Sequence, residues 1–112
     1  MKLKINIKPI SINIAFQGRR FKTKKAKDFE QELFYILPKK NMIKGWVEIN
    51  YKLYLKNWKM TDGDNCIKIM QDTLVKKGYI EDDRKIMRYV IEKIPSEKDR
   101  VEVEIKEYVN RK

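Results

Sequence analysis

Three stretches of this chain alternate apolar and polar residues with a period of two, and nothing else in the sequence limits the fold as much. Leu3, Ile5 and Ile7 alternate with Lys2, Lys4, Asn6 and Lys8. Val47, Ile49, Tyr51, Leu53 and Leu55 alternate with Glu48, Asn50, Lys52 and Tyr54, and Val101, Val103 and Ile105 alternate with Glu102, Glu104 and Lys106. Successive side chains of a strand project to opposite faces, so each stretch predicts a strand with one buried and one solvated face. Residues 86–94 predict a fourth strand, although Met87, Val90, Ile91 and Ile94 also fit a helical stripe.

A sheet with one apolar face needs a cover, and two segments have the spacing to supply it. Phe29, Leu33, Ile36 and Leu37 predict a helix from about Lys25 to Leu37, stopped by Pro38. Ile67, Met70, Leu74 and Val75 predict a second, with Asp64 as N-cap and Gly78 just past its end. Ser11 to Lys25 reads as a basic loop or loose hairpin, Lys39 to Gly45 as a basic turn, and Pro95 to Arg100 as a turn. The expected fold class is α+β: a small mixed four-stranded sheet with two helices packed on one face. At 112 residues it is expected to form a single domain, 1–112, whose modest core would gain from a second subunit.

Lys and Arg number 27 against 16 Asp and Glu, a formal net charge of +11. Such a surface attracts polyanions, and nucleic acid ahead of an anionic membrane. The chain has no histidine, which removes Ser-His-Asp triads, His-Cys zinc sites and an imidazole base. Any hydrolysis must use carboxylates, Lys, Tyr or an oxygen-bound metal. Cys66 is the one cysteine, so no internal disulfide forms, and it reads as a small packed residue. No apolar run is long enough to span a bilayer, and the N-terminus alternates instead of forming an apolar block. A cytoplasmic protein without a membrane segment is expected. Trp46 and Trp58 are expected in the core or at an interface.

Against this basic background stand two acidic clusters, Asp62-Gly63-Asp64-Asn65 running on to Lys68 and Asp72, and Glu81-Asp82-Asp83. Asp62 and Asp64 lie two apart, and Asp64, Lys68 and Asp72 lie four apart on one helix face. Bunched carboxylates repel one another, and a cation relieves that repulsion. Bringing Asp82 or Asp83 up to Asp62 and Asp64 would give an all-oxygen site, suited to Mg²⁺ or Mn²⁺. Each feature alone is an ordinary turn or cap; the combination is not. An EF-hand is excluded, because Ile67 and Thr73 stand where its Gly and Glu belong. Asn13, Arg19, Arg20, Lys22, Lys24, Lys25 and Lys27, with Phe16 and Phe21 interleaved, form a stretch suited to a phosphate backbone.

These segments resemble the RusA family of Holliday junction resolvases. Lys8-Pro9-Ile10-Ser11-Ile12-Asn13, followed by Arg20-Phe21-Lys22-Thr23, is similar to the family's Pro-x-Ser-x-Asn segment and its basic continuation. Asp62-Gly63-Asp64-Asn65-Cys66-Ile67-Lys68, then Asp72-Thr73-Leu74, then Asp82-Asp83-Arg84-Lys85-Ile86, resembles its Asp-x-Asp-Asn-x-x-Lys helix and later Asp-Asp pair. Gly63 stands where the family has an apolar residue, and Cys66 where it has Leu. The resemblance implies a bacterial or phage homodimer that binds four-way DNA junctions and makes symmetric paired cuts with one Mg²⁺-dependent site per subunit. By matching positions it implies Asp62, Asp64 and Asp83 as metal-binding and catalytic carboxylates, Asp82 as a secondary ligand and Lys68 as the essential lysine. Two other readings stay open. One is a basic nucleic-acid-binding module without catalysis, and the other is a metal-dependent nuclease acting on flaps, another branched substrate or RNA.

Overall fold

The computed structural model describes residues 1–10, 16–17 and 21–109, with residues 16, 17, 21 and 22 described for their backbone alone. The alternating stretches form β1 (Lys2–Ile5), β4 (Val47–Leu55) and β6 (Arg100–Glu107), and the ambiguous segment forms β5 (Ile86–Pro95). The strand wins at β5 because β4 offers it a ladder along its whole length. The basic loop contains a small hairpin, β2 (Phe16–Gln17) with β3 (Phe21–Lys22).

The four long strands make one mixed sheet in the order β1-β6-β4-β5. β6 runs antiparallel to β1 and β4, whereas β5 runs parallel to β4. A parallel pair needs a crossover, and residues 56–85 supply it with α2 (Ile67–Lys77). The other helix, α1 (Lys24–Ile36), is capped by Thr23, whose hydroxyl accepts the Ala26 N–H at 3.2 Å. Its final turn closes as the Leu37 N–H reaches the Leu33 carbonyl, and Pro38 follows.

The predicted alternation sets the layers. Val47, Ile49, Tyr51, Leu53 and Leu55 of β4 are buried, with Val101, Val103 and Ile105 of β6 and Leu3 and Ile5 of β1. Ala26, Phe29 and Leu33 of α1 and Ile67, Ile69, Met70 and Leu74 of α2 join the same core. Both helices therefore cover one face. The other face is solvated and carries ion pairs such as Lys2 with Glu104 at 3.8 Å and Lys106 with Glu48 at 3.7 Å. No helix among the described residues is long and apolar enough to cross a membrane.

One expectation is corrected here. Asp64 does not cap the second helix. It opens a 3₁₀ turn (Asp64–Cys66), with no side-chain cap bond, and α2 starts only at Ile67. The turn tightens because the Asn65 N–H reaches the Asp62 carbonyl and the Cys66 N–H reaches that of Gly63. Trp46 and Trp58, expected in the core or at an interface, lie outside the core, 53% and 38% exposed. Gly78 does close α2, in the left-handed conformation with φ 87°, where Gly has no Cβ to clash.

Candidate active site

The crossover carries all the candidate acidic residues. Leaving β4, the chain makes a turn over residues 57–61, closed by the Thr61 hydroxyl donating to the Asn57 carbonyl at 2.7 Å. Asp62 follows at once, then Gly63 with φ −60° and ψ −42°. Gly63 lies on β5: a Cβ there would stand 3.4 Å from both the Ile91 and the Lys93 side chain. Asp62 and Asp64 thus sit together above β5. The Asn65 amide donates to Asp62 Oδ2 at 3.3 Å. A hydrogen bond shared with Asp64, then that neighbour's charge, raises the Asp62 carboxyl above its ordinary range, and Lys93 pulls it back down.

Asp82 and Asp83 lie at the other end of the crossover. Asp82 caps a second 3₁₀ turn (Asp83–Lys85) by accepting the Arg84 backbone N–H at 2.9 Å. It also pairs with the Arg84 guanidinium at 3.1 Å. The Arg84 N–H first, then the Asp83 and Arg84 side chains, hold Asp82 well below the usual carboxylate range. Asp83 is raised, chiefly by its hydrogen bond with Asp82, then by desolvation and the charges of Asp82 and Asp72. Asp82 is thus the member of this pair held by Arg84, and the two carboxylates crowd like charge onto one turn. Glu81 is occupied elsewhere, accepting the Gly45 N–H.

Lys68 and Asp72 stand on α2. Their pair spans 3.9 Å and is half-exposed on the lysine side, leaving the ammonium accessible to solvent. Between the acidic pairs lies Tyr89 of β5. Its hydroxyl accepts from the Gln71 amide at 3.4 Å, and Gln71 in turn accepts from the buried Tyr51 at 3.2 Å.

The chain therefore brings Asp62 to Asp64, and Asp83 to Asp82 and the neighbourhood of Asp72. Among the described residues, no three acidic or sulfur-bearing side chains stand close enough to hold an ion together. Geometry along β5 explains this. Gly63 rests on Ile91 and Lys93, whereas Asp83 precedes Ile86, and Ile86 and Ile91 are roughly 16 Å apart along a strand. What the donors offer is hard oxygen, with like charges raising both Asp62 and Asp83. That chemistry fits a hard divalent cation and no soft one.

Of the basic residues, Asn13, Arg19 and Arg20 lie outside the described residues, and Lys22 is described only in the backbone of β3. Lys24 and Lys25 are exposed in the first turn of α1, which has no acidic residue. Positive charge there opposes the helix dipole and favours a bound anion. Tyr89 and Lys93 escaped the sequence reading. The signal was a period of two in β5, where Tyr89, Ile91 and Lys93 share the core-side face of Ile49, Tyr51 and Leu53.

Comparison with known proteins bears on the same segment. Residues 11–106 match the family described as endodeoxyribonuclease RusA. A protein of Lactococcus phage r1t, named crossover junction endodeoxyribonuclease rusA, is 31% identical over 97 residues, covering 85% of this chain and 71% of that protein.

Proposed function

The chain belongs to the endodeoxyribonuclease RusA family, and on that basis we propose that it is a Mg²⁺-dependent nuclease that resolves four-way DNA junctions. The observation that carries this reading is the two sets of like-charged carboxylates at the two ends of one crossover, Asp62 with Asp64 and Asp83 with Asp82. In an otherwise basic protein, such pairs gain most from a divalent cation.

By the family resemblance Asp62, Asp64 and Asp83, with Asp82 secondary, would be the ligands of Mg²⁺, or of Mn²⁺ in its place; in this chain they stand as two separate pairs, so an ion shared by both pairs requires the two ends of the crossover to close on it. The ion supplies charge neutralisation at the phosphodiester, activation of water and stabilisation of the leaving oxygen. The protein's own groups do the rest. The Asp82–Arg84 contacts fix the backbone that presents Asp83. The Lys68 ammonium, accessible at the start of α2, opposes the negative charge that builds on the phosphate. Lys24 and Lys25, with Asn13, Arg19, Arg20 and Lys22, take phosphate contacts that bring the strand to the carboxylates. A homodimer would match its two-fold axis to that of the junction and set two such sites for symmetric cuts.

The test is incubation with synthetic four-way junctions, with Mg²⁺ or with EDTA. Paired nicks that require Mg²⁺ are expected. Junction binding without nicks, across several sequences, rejects catalysis and leaves a binding module. Faster cutting of flaps than of junctions moves the substrate class. Lys68→Ala should keep the fold and junction affinity and lose most of the turnover.

A further inference from the structure

Lys93 lies on the core-side face of β5, level with Leu53 of β4, but beyond the cover of the two helices. Its ammonium does not simply point into solvent. Nζ donates to the Trp58 carbonyl at 2.8 Å and to the Thr61 carbonyl at 2.9 Å. Thr61 is the residue immediately before Asp62. The methylene stem of the same lysine runs beneath Gly63, on the other side of Asp62. One side chain therefore grips the backbone both before and after the carboxylate.

We infer that Lys93 is a positioning residue for Asp62. It fastens the turn over residues 57–61 to the sheet and holds the first carboxylate pair in a fixed relation to β5, whose leading end carries Asp83. Among the described residues, Lys93 makes the side-chain hydrogen bonds that tie residues 57–61 to β5, while Asp62 and Gly63 are also held by the Asn65 N–H and the Cys66 thiol on the Asp62 carbonyl and by Ile91 beneath Gly63. The turn's own bonds, from Met60 N–H and the Thr61 hydroxyl to the Asn57 carbonyl, close it on itself and do not reach the strand. Without the ammonium the Asp62–Asp64 pair keeps its sequence and its cation chemistry and loses its register with Asp83. Because the role of Asp62 rests on the nuclease reading, the test needs one arm that does not.

That arm is Cys66, the chain's one thiol, 1% exposed and tucked behind the loop with Sγ 3.6 Å from the Asp62 carbonyl. Its labelling rate by a thiol reagent in metal-free protein reports loosening of this segment. Lys93→Met keeps the stem and removes the charge, and Lys93→Arg keeps both. With Lys93→Met, Cys66 should label faster than in the wild type, and the Mg²⁺ concentration giving half-maximal junction cleavage should rise about tenfold, as for other groups that orient a ligand. Lys93→Arg should restore both, and the urea midpoint should stay put. Unchanged labelling in Lys93→Met overturns the proposal. So does a labelling increase that a fall in global stability accounts for, or an unchanged Mg²⁺ requirement in an active enzyme. If the wild type cuts no junction at all, the nuclease reading fails, while the labelling comparison still decides whether Lys93 holds the loop.

Discussion

At the scale of single residues, the candidate site is built from unequal partners. Asp62 is raised by Asp64 and Asp83 by Asp82, while Asp82 is held low by Arg84. Replacing Asp64 with Asn removes the group that raises Asp62, so the Asp62 carboxyl should shift downward in an NMR titration. The same variant should abolish cleavage while leaving junction affinity equal or higher, since a charge that repels phosphate is gone; normal cutting would remove Asp64 from the site. Gly63 makes a finer prediction. Its φ of −60° is open to any residue, and a Cβ would meet Ile91 and Lys93 at ordinary contact distance. Gly63→Ala should therefore stabilise the chain by about 0.4–1 kcal/mol through a less flexible unfolded state, read by urea titration, and keep the site competent. The residue types of the candidate site are legible in the sequence. Their grouping into two pairs is not, because helical spacing says nothing of where β5 begins relative to the loop above it.

At the scale of elements, alternation and helical spacing foretold the strands and helices because each side chain's burial follows directly from its place in the period. Boundaries were less legible. The Asp64 cap was inferred from residue type, yet the chain satisfies its amides with backbone carbonyls in a 3₁₀ turn instead. β5 was ambiguous because its two faces are nearly equally exposed, with Met87 and Tyr89 about half in solvent, and only its neighbour decides the matter. The α1–α2 layer depends on Leu33, which is wholly buried. Ties at its rim, such as Lys76 with Glu30 at 3.4 Å, are exposed and worth little. Leu33→Ala should cost about 2–5 kcal/mol in urea unfolding, whereas Lys76→Ala should move the midpoint far less.

At the scale of the molecule, the solvated sheet face carries a pH response. Glu102 accepts from the Tyr54 hydroxyl at 2.7 Å and lies near Arg100, Lys4 and Lys52, which together hold its carboxyl below its ordinary range. A depressed carboxyl contributes stability that is present in full above its unfolded pKa, about 4.3, and is lost as pH falls through the lower folded value. Thermal melts should show the wild type losing stability more steeply than Glu102→Gln as pH drops below about 4.5. The strand order, invisible in the sequence, has a consequence in time. Among the four long strands no two are joined as a hairpin: β1 finds β6 across almost the whole chain, β5 and β6 flank β4 without touching, and β4 meets β5 only after a crossover. No local piece of this sheet can form early and template the rest. Refolding in a stopped-flow experiment should fall in the millisecond-to-second range of non-local topologies, and the carboxylate pairs should reach their places only when the last strand has closed.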